Sequence, residues 1–173
     1  MKRVVSPNSI TLIGMPGSGK SSVAKLLSDK LGIKLVELDE NIEKEAKLDL
    51  FGILDKYGEE KLAELEEKAI LDIQFESEKS IVSTGGSVIY SNKGMEHLCN
   101  KKNTIIFLDT DYSVLKERTN NFTNRGIIFK DKTPIELYNE RTRLYKKYCN
   151  FIINTGGYTP NDISEIILNS IYI

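Results

Sequence analysis

Between Thr11 and Ser22 the chain reads TLIGMPGSGKSS, and Gly14, Gly19, Lys20 and Ser21 meet the spacing G-x-x-x-x-G-K-[ST]. Glycines at these steps let main-chain N–H groups turn inward around phosphate oxygens. A helix that starts at the lysine adds its N-terminal donors and the positive end of its dipole to the same anion. Lys20 would then reach the outer phosphates of a nucleotide and Ser21 would ligate Mg²⁺, with Pro16, Gly17, Ser18 and Ser22 completing an ATP cradle. The context agrees: the apolar run SITLIG precedes the loop, and the amphipathic stretch SSVAKLLSDKL follows it.

A second reactive group stands after the run KLVEL, where Asp39 closes what reads as a strand. A carboxylate at the C-terminal end of a parallel strand, beside the phosphate-binding strand, lies where open α/β sheets bind ligands. It could orient a hydroxyl and take its proton. Capping the following helix is the other use of an Asp at this place. The pair Gly85-Gly86, after SIVST, would let the backbone touch a bound acceptor. Asp109 in IIFLDTD resembles a second metal aspartate, but TxD also makes a good helix start, and that role is discounted. His97 has no neighbouring ligand set and reads as a surface residue, while Tyr138, Tyr145 and Tyr148 follow core spacing on one helix.

These groups need elements to hold them. Five β-rich runs, at 9–14, 34–38, 80–84, 103–108 and 150–154, alternate with helix-length segments at 20–31, 40–47, 59–78, 111–120, 134–148 and 160–170. Alternation of apolar strands with helices implies a parallel sheet covered on both faces. Thr133-Pro134 and Thr159-Pro160 place a cap and a first-turn proline at two helix starts. The polar, aperiodic segment NFTNRGIIFKDK, 121–132, is the candidate lid.

The 173 residues suffice for one domain over 1–173, and 40% apolar content is enough for a core. Lys and Arg (24) balance Asp and Glu (25), so no basic field points to nucleic acid or a membrane surface. The charge is nonetheless polarised. Acids outnumber bases 15 to 5 over 37–78, and bases lead 9 to 4 over 116–147, where an anionic ligand would be drawn. Cys99 and Cys149 match neither a disulfide framework nor zinc-site spacing, and no apolar run suits a signal peptide or a membrane span. The expectation is a cytoplasmic protein, monomeric, with a small molecule as its partner.

From about Ile10 to its C-terminus the chain resembles the shikimate kinase family, small P-loop kinases that phosphorylate a hydroxyl of a ring carboxylic acid. ELDENIE (37–43) matches the family's D-x-D followed by D-x-x-I-E, which makes Asp39 the carboxylate that holds the acceptor hydroxyl and puts Glu37 near the metal. GEEKLAELEE matches G-E-x-x-F-R-x-x-E at Gly58, Glu59 and Glu66, with Ala63 in place of the Arg that grips the acceptor carboxylate. STGGS, ending at Ser87, matches S/A-T-G-G-G. The lid's R-P-L-L becomes Arg125-Gly126-Ile127-Ile128, so Arg125 is the arginine that reaches the transferring phosphate. In ERTRLYKKY, Arg141 is an acceptor-carboxylate arginine, and Arg143 replaces a proline and could supply the charge missing at Ala63. Arg118 and Pro160 match the pair that flanks adenine.

The resemblance implies a P-loop NTPase three-layer α/β/α fold with a five-stranded parallel sheet in the order 2-3-1-4-5. It implies ATP and Mg²⁺ as cofactors and in-line transfer of the γ-phosphoryl group to a hydroxyl, shikimate being the leading acceptor. Because Ala63, Ser87 and Arg143 fall where the family contacts its acceptor, another hydroxy acid, a sugar acid, an amino alcohol or a nucleoside stays open. So does a non-catalytic ATP-binding paralogue, against which the intact Lys20, Ser21, Asp39 and Arg125 argue.

Overall fold

Along each central strand, apolar side chains alternate between two faces, and each face carries its own core. Ile10 and Leu12 of β1 (Ser9–Ile13), Ile81 of β3 (Ser80–Ser83) and Ile106 and Leu108 of β4 (Asn103–Asp109) point to one side. There they meet Val23, Ala24 and Leu27 of α1 (Lys20–Leu31) and Ile163 and Ile167 of α7 (Pro160–Ile171). Ile13, Val82, Ile105 and Phe107 point to the other side, against Ile70 of α3 (Leu50–Leu71), Met95 and Leu98 of α4 (Asn92–Leu98), Leu115 of α5 (Tyr112–Arg118) and Leu137 and Tyr145 of α6 (Pro134–Tyr148). A period of two in the strands and buried stripes on the helices thus produce three layers.

The computed structural model describes residues 9–120, 122, 126–129 and 131–171. With β2 (Lys34–Glu37) and β5 (Phe151–Asn154), the sheet has the order β2-β3-β1-β4-β5, and every pairing is parallel. This is the expected architecture. The register sets Leu12 beside Ser83 and Ser83 beside Glu37, so β1, β3 and β2 end side by side and their following loops share one rim.

Three elements differ from expectation, each for a local reason. α2 (Leu38–Ala46) starts two residues early, with Glu37 as its N-cap. Asp39 therefore lies inside the first turn and is not the cap. α3 begins at Leu50, where Asp49 accepts from the Gly52 N–H, and ends at Leu71 instead of 78. Gly58 (φ 82°, ψ 175°) breaks it at the point where the sequence pattern starts a helix. α4 is seven residues, too short to show a period; Ser91 caps it by accepting from the Gly94 N–H, and a 3-10 turn, Val88–Tyr90, leads into it. The helix starts at Thr133-Pro134 and Thr159-Pro160 form as expected, the first with a full capping box through Glu136 and the second with Thr159 and Asp162 exchanging hydrogen bonds.

Of the candidate lid, Ile127 and Ile128 are buried, Ile128 in a small cluster with Ile42, Ile53 and Leu62. Glu59 accepts from the Phe129 N–H at 2.9 Å. Arg125 lies outside the described residues.

Candidate active site

The turn after β1 is a cradle built by backbone conformation. Gly14, Gly17 and Gly19 all adopt positive φ, and Gly19 (φ 92°, ψ 13°) is the N-cap from which α1 departs. α1 has neither an acidic residue in its first turn nor a side-chain cap, so its first N–H groups and dipole face the loop without a competing anion from the helix itself. The Lys20 ammonium is buried and donates to the carbonyls of Gly14 and Met15, both at 2.9 Å. Burial lowers its pKa to about 8, opposed by the negative charges of Asp39 and Glu37.

The neighbouring strand ends add oxygen ligands. Ser21 Oγ donates to Glu37 Oε2 at 3.0 Å and lies 3.3 Å from Ser83 Oγ. A hydroxyl and a carboxylate beside a phosphate cradle are two hard oxygens. They fit Mg²⁺, which takes few protein ligands and completes its octahedron with phosphate oxygens and water. Among the described residues no group of three His, Cys, Asp or Glu side chains could hold a metal on its own.

The cradle opens into a cleft of about 490 Å³, and Pro16, Gly17, Gly19, Lys20, Ser21 and Ser22 form its phosphate side. Arg118 lines the same side, its Nη1 reaching the Gly17 carbonyl at 3.4 Å. Pro160 opens α7, is exposed and does not line the cleft. Gly14 and Ser18, in the same turn, do not line the cleft; Ser18 is buried and its hydroxyl has no partner among the described residues.

Opposite the cradle, Asp39, Gly85 and Gly86 line the cleft. A β-carbon on Gly85 would sit 2.7 Å from Glu66 Oε1 and 3.0 Å from Asp39 Oδ1, so only glycine lets the two carboxyls approach this stretch of backbone. At Gly86 the equivalent position is 2.9 Å from Arg141 Nη1. The buried Tyr145 fixes the turn, its hydroxyl donating to the Gly86 carbonyl at 2.5 Å while its ring stacks on Phe107. Arg141 is fully buried on α6, four residues from both Leu137 and Tyr145; it donates to the Ile128 carbonyl at 2.7 Å, and its Nε has no partner among the described residues. Burial and the Glu37 charge raise the pKa of Asp39, and Lys20 opposes them; Asp39 Oδ1 is buried and, among the described residues, also without a partner.

Not every candidate converges here. Arg143 is exposed, does not line the cleft and carries its charge away from the buried face that holds Arg141. It does not stand in for the charge absent at Ala63. Ser87 is buried just behind the cleft wall, donating to both oxygens of Glu66 at 2.6 and 2.7 Å. The discounted Asp109 pairs with Lys146 at 3.4 Å, and His97 is half-buried against the Ile73 carbonyl. Glu43, Asp49, Leu50, Phe51, Glu66 and Thr84 also line the cleft, though sequence reasoning assigned them no ligand. Glu43, Glu66 and Thr84 carried a signal, as positions of the ELDENIE, GEEKLAELE and STGGS matches; Asp49, Leu50 and Phe51 depend on where α2 and α3 meet.

This arrangement can bind a polyphosphate, hold a hydroxyl against a carboxyl, and meet an anionic substituent with a buried guanidinium. A family profile described as shikimate kinase matches residues 16–172. The shikimate kinase of Thermodesulfovibrio yellowstonii is 36% identical over 163 residues, covering 92% of both chains. The chain belongs to the shikimate kinase family. It is accordingly an ATP-dependent small-molecule kinase, and the nucleoside-kinase and non-catalytic readings are not favoured. Solved structures of the family share the fold. One is the shikimate kinase of Aquifex aeolicus (28% identity, TM-score 0.77, 94% of this chain and 95% of that one). Another is the shikimate kinase of Acinetobacter baumannii in complex with shikimate (24% identity, TM-score 0.86, 96% and 93%). Among the described residues no helix is long and apolar enough to cross a membrane.

Proposed function

We propose that this kinase transfers the γ-phosphoryl group of ATP to a hydroxyl of shikimate. The observation that carries the reading is Asp39, which lines the cleft beside Lys20 and across Gly85 from the wall that holds Arg141, and whose buried Oδ1 has no partner among the described residues. A buried acceptor without a donor costs free energy unless a ligand supplies one, and an alcohol O–H supplies it in the geometry needed for proton removal.

In the proposed transfer the acceptor lies over Gly85-Gly86, its carboxylate toward Arg141. Asp39 accepts the hydroxyl proton as the oxygen attacks the γ-phosphorus. The bond from phosphorus to the bridging oxygen breaks and ADP departs, while Lys20 and the loop amides offset negative charge on the phosphates. Ser21 and Glu37 would hold Mg²⁺, which when bound neutralises charge on the β- and γ-oxygens. Arg125 is assigned to the transferring group on the family resemblance.

Coupled ADP release, run with shikimate and with hydroxy acids, sugar acids, amino alcohols and nucleosides, tests the acceptor. Shikimate should give the highest kcat/KM, and a better substrate elsewhere in the panel would displace it. Asp39→Asn should lower kcat by about 10²–10⁴ with little change in the KM for ATP; retained turnover would remove Asp39 from its role.

A further inference from the structure

Glu66 is a buried carboxyl that the transfer does not use. α3 carries it into the wall between the active cleft and a second cavity of about 500 Å³, which is also lined by Ala63 and Ser87. It is 8% exposed, and a single hydroxyl, that of Ser87, serves both of its oxygens. Among the described residues no cation forms an ion pair with it. The residue one turn earlier on its own helix, from which a Lys or Arg could reach it, is Ala63.

The charges facing it come from three elements. Asp39 of α2 pushes toward the neutral form, with Glu43 of the same helix on the same cleft; Arg141 of α6 and the Ser87 hydroxyl favour the ionised form; Lys20 of α1 lies across the cleft beside Asp39. Burial outweighs the rest, and the carboxyl is pushed up to about 7.

We infer that Glu66 is a specificity-determining residue for the acceptor's charge: when neutral it admits a carboxylate beside Arg141, and when ionised it turns one away. This rests on the acceptor assignment above. A hydroxy acid stays ionised across the neutral range, so it cannot relieve the repulsion itself. Among the described residues, Arg141 is then the guanidinium that Glu66 and the acceptor's own carboxylate share. Apparent affinity falls with the fraction of enzyme in the competent form, so one pH unit above the titration the KM rises about tenfold.

The test is the pH dependence, between 6 and 9, of KM for shikimate, KM for ATP and kcat in the unaltered enzyme, in Glu66→Gln and in Ser87→Gly. Methyl shikimate serves as an acceptor without charge. The KM for shikimate should climb about fivefold between pH 7 and 8 in the unaltered enzyme, while that for methyl shikimate stays level. Glu66→Gln should flatten the shikimate profile. Ser87→Gly removes a hydrogen bond that stabilises the ionised form and should move the break to higher pH. A level shikimate KM in the unaltered enzyme, or an equal climb for the methyl ester, overturns the inference while leaving the acceptor assignment intact. Absence of shikimate-dependent turnover at every pH overturns the assignment and the inference with it.

Discussion

At the scale of single residues, Glu66 also carries a consequence for folding. In the unfolded chain a glutamate titrates near 4.5, whereas in the folded protein this one is held up to about 7 by burial and by Asp39, against the Ser87 hydroxyl and Arg141. The folded state therefore binds the proton more tightly, and stability is lost as pH rises from about 4.5 to about 7. The difference corresponds to on the order of 3 kcal/mol once both states are ionised. Glu66→Gln removes the titration and keeps an oxygen for Ser87 to bond. In urea unfolding the variant should exceed the parent by up to about 3 kcal/mol at pH 8 and fall to near parity at pH 5. An equal gap at both pH values would place the titration elsewhere.

At the scale of elements, α3 shows why part of the site escapes a linear reading. The match GEEKLAELEE suggests a helix beginning near 59, yet the helical path runs from Leu50, and Gly58 at φ 82°, ψ 175° breaks it in the middle. That break sets the direction of the segment carrying Glu59 and Glu66, so their positions at the lid and in the cleft follow from one backbone conformation that propensity does not report. Gly58→Ala isolates it. A β-carbon there meets open space, so the cost is conformational, about 1–3 kcal/mol. Stability should fall by that amount in urea unfolding, and KM for the acceptor should rise more than KM for ATP, whose loop sits on β1 and α1. Unchanged constants would mean that α3 takes the bend whatever residue stands at 58. On α6, Leu137, Arg141 and Tyr145, four apart, share the buried face and Arg143 lies outside it, a division that the acceptor assignment of both arginines did not draw.

At the scale of the whole molecule, what was legible is what local sequence determines. The phosphate cradle is contiguous, and the strands are short apolar runs whose alternation requires two covered faces. The meeting of Asp39, Glu66, Gly85 and Arg141, from four separate elements, instead depends on sheet order and helix direction. The two faces of the sheet bury their own apolar clusters, a third cluster ties Ile128 to α2 and α3, and no group of three ligating side chains occurs among the described residues. Ser21 and Glu37 already satisfy one another through a hydrogen bond, so losing Mg²⁺ leaves no buried charge stranded between them. A chelator should therefore abolish phosphoryl transfer while leaving the thermal unfolding midpoint of the free protein where it was, and added Mg²⁺ should restore turnover. Nucleotide with Mg²⁺ at a hundred times its Kd should raise stability by about 2.7 kcal/mol, since it binds only the folded cradle. A chelator that lowered the midpoint without nucleotide would show a structural metal site and contradict the view that Ser21 and Glu37 hold the ion only alongside phosphate.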